Sequence, residues 1–129
     1  MSESTQIEFS RLVKSQYERY KDTLNLSEPR FEYEGFITRA LMDGANGYVK
    51  MRCGPAEYHA EVFVHSADEQ KCWKLADLIS VKGVRDWLMQ NRASVSGKAR
   101  LEAEVETAFR LLAEGLNGVP EFDWLHKAS

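Results

Sequence analysis

The stretch Ala56-Glu57-Tyr58-His59-Ala60-Glu61-Val62-Phe63-Val64-His65 alternates almost without error, and its reading decides the fold. Ala56, Tyr58, Ala60, Val62 and Val64 fall on one face, and Glu57, His59, Glu61, Phe63 and His65 fall on the other. Period-two alternation is the signature of a strand with one buried side and one side turned to water or a partner. The outer side carries two carboxylates, two imidazoles and a phenyl ring. It is the first candidate for a working surface.

Immediately upstream, Tyr48 to Cys53 reads as a second strand with Val49, Met51 and Cys53 inward. Gly54-Pro55 then reads as a two-residue hairpin turn. That turn sets Cys53 opposite Ala56, Arg52 opposite Glu57, Met51 opposite Tyr58, Lys50 opposite His59, Val49 opposite Ala60 and Tyr48 opposite Glu61. Apolar residues meet apolar ones, and Arg52 meets a carboxylate. Asp43-Gly44-Ala45-Asn46-Gly47 is a loop of residues that tolerate positive φ. Phe31 to Met42 is a long strand whose alternation slips at Gly35, the pattern of a β-bulge.

The flanks have helical spacing. Thr5-Gln6-Ile7-Glu8 has the form of a capping box ahead of an amphipathic helix from Thr5 to Asp22. Its stripe is Phe9, Leu12, Val13, Gln16, Tyr17, Tyr20 and Leu24. Ser66-Ala67-Asp68-Glu69 is a second capping box, opening a helix with Cys72, Leu75, Ala76 and Ile79 inward and interrupted at Gly83. Val84, Trp87 and Leu88 form a short stripe, and Ser94 to Gly97 is a connector. A long helix from Leu101 to Leu116 ends at Gly115, Gly118 and Pro120. The tail Glu121-Phe122-Asp123-Trp124-Leu125 is too apolar for a free end and is expected to pack back. The expectation is an α+β fold: an N-terminal helix, a three-stranded antiparallel meander, then two to three helices on one sheet face.

A chain of 129 residues matches one ordinary domain, taken here as residues 1–129. No apolar run approaches the ~20 residues that span a bilayer, and Met1 to Gln6 carry no secretion signal. A cytoplasmic location follows as the expectation, with Cys53 and Cys72 as reduced thiols. The net charge of −3 argues against nucleic acid as a partner. Residues 80–100 are strongly basic and residues 101–129 strongly acidic, which suggests two oppositely charged lobes.

Chemistry-bearing constellations are sparse. His59 and Glu61 share a strand face, but His65 lies about 20 Å further along the strand and no third ligand converges, so no metal site is expected. Ser66, Ser80, Ser94 and Ser96 stand where caps and connectors explain them, and no nucleophile elbow exists. Cys72 on a core stripe and Cys53 at an inward strand position are not placed as nucleophiles. Ser94-Val95-Ser96-Gly97-Lys98 delivers a helix start beside Lys98 and Arg100, a candidate anion site lacking the phosphate-loop glycines. As a recognition helix it fails, because Glu102, Glu104 and Glu106 would repel DNA.

What remains is protein binding, without catalytic residue or cofactor. Tyr48, Lys50, Arg52, Glu57, His59, Glu61 and Phe63 form a face of aromatic anchors among charges of both signs. In scale, mild acidity and helix-meander-helix order, the chain resembles small bacterial immunity proteins that neutralise toxins, and secretion chaperones. That resemblance implies a partner such as a toxin or secreted effector, and it carries over no functional residue. The first helix could also serve a homodimer. The alternative is a small-molecule binder or small enzyme with a pocket between sheet and helices, using His59 or the basic 82–100 segment.

Overall fold

Phe9, Leu12, Val13 and Leu24 recur at helical spacing and are all buried, so the first segment winds into one long helix, α1 (Ser2–Leu24). The computed structural model describes residues 2–54, 59–80 and 82–126, apart from the side chains at 2–4, 79, 82 and 98. Thr5 is buried inside α1 rather than capping it, since nothing between Ser2 and Thr5 breaks a helix.

Five strands follow: β1 (Arg30–Glu34), β2 (Ile37–Gly44), β3 (Gly47–Cys53), β4 (Ala60–Ser66) and β5 (Cys72–Lys74). Among the described residues they form one antiparallel sheet in sequence order, two strands more than the expected meander. The first additional strand comes from Gly35. It is a hairpin turn, not a bulge: Glu34 pairs with Ile37, Gly35 has φ +59° and Phe36 does not share the positive φ, the sign pattern of a II′ turn. A two-residue turn reverses the inward parity just as a one-residue bulge does, so the alternation could not separate them.

The second additional strand replaces an expected helix. Ser66 and Asp68 spend their hydrogen-bonding capacity on a tight turn. The Ser66 hydroxyl donates to Asp68 Oδ1 (2.6 Å), while the backbone N–H groups of Gln70 and Lys71 donate to Asp68 Oδ1 and Ser66 Oγ (both 3.1 Å). Glu69 takes φ +61°, and Cys72 returns opposite His65. Local Ser and Asp side-chain bonds favour caps and turns alike, which is why the same four residues read as a capping box.

The β3–β4 register also differs from expectation. Cys53 pairs with Ala60, Arg52 with Glu61, Met51 with Val62, Lys50 with Phe63, Val49 with Val64 and Tyr48 with His65. Every pairing is displaced by four residues on β4, so a two-residue turn at Gly54-Pro55 is excluded; Pro55, Ala56, Glu57 and Tyr58 lie outside the described residues. An even displacement leaves each side chain on its original face. The inward set Val49, Met51, Cys53, Val62 and Val64 is therefore buried as the alternation implies.

After β5, a 3₁₀ segment (Leu75–Ser80) leads to α2 (Lys82–Asn91), with Gly83 in its first turn, and α3 (Lys98–Arg110). α3 runs on into one π turn, Leu111–Gly115, closed by the Leu116 N–H on Leu111 O (2.9 Å). The tail does pack back: a 3₁₀ turn (Pro120–Phe122) and α4 (Asp123–His126) bury Phe122, Trp124 and Leu125. Phe122 meets the Trp73 ring edge-on, with centroids 5.0 Å apart.

Every buried sheet residue, from Thr38 and Ala40 to Val62 and Val64, lies on one face; on the other face none is buried. The helices thus cover one side only. The architecture is α+β, with an N-terminal helix, an antiparallel sheet and C-terminal helices. No helix among the described residues is long and apolar enough to cross a membrane.

Candidate functional site

The register lays out the outer sheet face in rows. One row runs Arg30, Leu41, Lys50, Phe63, Lys74 from β1 to β5. Beside it runs Glu32, Arg39, Arg52, Glu61, and on the other side Asp43, Tyr48, His65, Cys72. Phe63 stands in the central row. Lys50 Nζ lies 5.3 Å and Arg52 Cζ 5.7 Å from its ring centroid, so two cations share one aromatic ring. The ring is half-buried, although among the described residues no helix packs on this face of the sheet.

The charges around Phe63 are unequal. Glu61 accepts a short hydrogen bond from Arg52 and receives Lys74 Nζ at 3.5 Å. Burial pushes the Glu61 carboxyl up, but the Arg52 hydrogen bond and the charges of Arg52 and Lys74 outweigh it and hold the group below the ordinary carboxylate range. Arg39 lies directly opposite Arg52, a like-charge pair, and is balanced by Glu34 at 2.7 Å. Among the described residues Lys50 has no carboxylate partner. Among the described residues three cations therefore surround Phe63 against one carboxylate.

Tyr48 stacks on His65 with centroids 4.4 Å apart and planes inclined by 7°. Burial first, and the Lys50 charge second, hold His65 below the usual histidine value. Cys72 is exposed on β5, with Sγ 3.7 Å from His65 Nε2, rather than on a helical core stripe. Cys53 is buried, and desolvation pushes its thiol up to about 11.

Tyr48, Lys50, Arg52, Glu61 and Phe63 are thus brought together as the alternation implied. His59 lines a cleft together with Glu61 and Lys74 of this face. It precedes β4, and Phe63, not His59, faces Lys50. Glu57 and the Lys98 side chain lie outside what the structure describes. Leu41, Arg39 and Lys74 join the face without having been anticipated. The alternation of 37–43 held the signal for the first two, whereas Lys74 was hidden by the helical reading of 66–79.

The His59 cleft, of about 210 Å³, lies between the sheet edge and the helices and is lined also by Glu61, Lys74, Val62, Leu75, Leu88 and Leu111. A larger groove of about 550 Å³ adjoins it between α2 and α3, and Leu88, Arg92, Arg100 and Glu104 border both. Arg100 Nε lies 3.6 Å from Glu104 Oε1, which also accepts from Arg92 (3.3 Å). The basic segment and the acidic helix meet here instead of forming separate lobes.

An open, cation-rich antiparallel sheet face and an arginine-lined groove define the molecule's chemistry. No protein-family model matches the chain, and no curated protein or solved structure matches it significantly.

Proposed function

We propose that the protein is a non-enzymatic cytoplasmic binding module, acting as immunity proteins or secretion chaperones act, that occludes a partner protein through its outer sheet face. The observation that supports this reading is Phe63, with Lys50 and Arg52 over its ring, on a charged sheet face that no described helix covers. A half-buried aromatic with a charged rim is the composition of an interface hot spot. The local excess of Lys50, Arg52 and Lys74 over Glu61 selects an acidic partner surface. A carboxylate from that surface would meet Lys50 first, because Arg52 and Lys74 are already engaged with Glu61.

Capture from native-host lysate on immobilised protein, read by mass spectrometry, tests the reading. Wild type and Arg85→Gln, a change on the far groove, should retain the same acidic protein. Phe63→Ala and Lys50→Glu should each lose it by about tenfold or more, with unchanged circular dichroism. Equal retention by all four would refute the reading.

A further inference from the structure

The groove between α2 and α3 is a site of a different kind. Arg85 and Met89 lie at helical spacing along α2 with Arg92 directly after its last residue, and Arg100, Glu104 and Thr107 are spaced alike on α3, so the two sides form opposed walls. The walls are held in place. Arg110 donates to Asn91 Oδ1 (3.1 Å), Asn91 Nδ2 donates to Trp87 O (2.9 Å), and the Arg110 guanidinium lies 5.6 Å from the Trp87 ring centroid. Trp87 in turn rests on Gly115, where an added Cβ would stand 3.3 Å from the indole and 2.3 Å from Leu111.

Two features of the groove do not suit a plain solvated surface. Met89 and Val95 are 79% and 43% exposed within it, alongside Leu88. And its three arginines face one carboxylate. Glu104 meets Arg92 and Arg100 through the same oxygen, Oε1, at long single contacts of 3.3 and 3.6 Å rather than as a two-pronged pair. Most guanidinium donors thus remain for another acceptor. Among the described residues Arg85 has no carboxylate partner. The volume of about 550 Å³ lies within the ~300–1,000 Å³ of ordinary ligand pockets.

We infer that this groove binds an amphipathic carboxylate, its acyl or aryl body lying against Leu88, Met89 and Val95 and its head bridging Arg92 and Arg100. Glu104 occupies the arginine pair in the free protein and is displaced by the ligand's own carboxylate. The excess of arginines over carboxylates supplies the charge complementarity, and the apolar wall discriminates against small inorganic anions. None of the groove's lining residues belongs to the sheet, although Leu88, Arg92, Arg100 and Glu104 also border the cleft that Glu61 and Lys74 line.

The probe is decanoate, titrated calorimetrically into the intact protein beside decanamide and inorganic phosphate. Decanoate should bind saturably, while decanamide and phosphate bind at least about tenfold more weakly, the loss expected for a missing charged hydrogen bond or a missing apolar contact. Arg100→Gln and Arg92→Gln should each weaken decanoate about tenfold. Glu104→Gln, which removes the internal competitor, should tighten it. Met89→Ser alters only an exposed side chain, so it leaves the fold intact and should also weaken decanoate. No saturable decanoate binding, equal affinity for decanamide or for phosphate, or weaker binding after Glu104→Gln would each overturn the assignment.

Discussion

Removal of the Phe63 ring separates an open face from a hidden core. In Phe63→Ala the ring loses its contacts with Lys50 (5.3 Å) and Arg52 (5.7 Å) and a tilted approach to His65 (6.4 Å). A cation over an exposed ring contributes about 0.5–1 kcal/mol. Two cations sharing one ring do not add fully, and the half-buried ring also loses part of its transfer energy. The loss should be about 1.5 kcal/mol. Phe109 is fully buried and stacked on Tyr20 with centroids 6.2 Å apart. Its truncation leaves a cavity and should cost about 3–5 kcal/mol. For a chain of this size 1 kcal/mol moves the melting temperature by about 3–5 °C. Differential scanning calorimetry should therefore show Phe63→Ala about 5 °C below wild type and Phe109→Ala more than about 10 °C below. Comparable drops for the two variants would refute the reasoning, because Phe63 would then be core.

Three further outcomes follow from single residues. His65 is held below the usual histidine value, so the unfolded chain takes up its proton first as pH falls. Stability present above about pH 6.5 is then lost as pH drops through the folded value, and the slope should flatten in Lys50→Met, whose His65 resonances should titrate higher by NMR. At Gly47 an added Cβ would sit 2.1 Å from His65 O, a backbone atom with no rotamer to escape to. Gly47→Ala should lose about 2–4 kcal/mol in urea denaturation, while Gly54→Ala, with nothing within 4 Å among the described residues, stays within about 0.5. Thr38 is fully buried with no partner for Oγ1 among the described residues, so Thr38→Val should raise stability by about 1 kcal/mol.

The fold was legible where the physics is periodic. Alternation assigned Val49, Met51, Val62 and Val64 to the core and Lys50, Arg52, Glu61 and Phe63 to the outer face, and both assignments hold although the register moved by four residues. Periodicity is blind to such a shift because four is even. It is equally blind at Gly35, where a turn and a bulge change parity alike. β5 is three residues long, too short to alternate, and the Ser66–Asp68 bonds that build its turn are the bonds of a helix cap. The groove was half legible. Arg85 and Met89 share a helix face in any reading of 82–91, and Arg92 follows at the next step. That Glu104 closes the opposite wall depends on how α2 packs on α3, and no local pattern encodes that.

The central claim is that partner and protein meet on the sheet face bearing Phe63. Lysine acetylation of the free protein and of the captured complex, quantified by mass spectrometry, tests it most directly. Lys50 and Lys74 lie on that face, whereas Lys14 and Lys21 lie on α1 away from it. The account predicts that Lys50 and Lys74 lose reactivity in the complex while Lys14 and Lys21 keep theirs. Protection of Lys14 and Lys21 with Lys50 and Lys74 still reactive would contradict it.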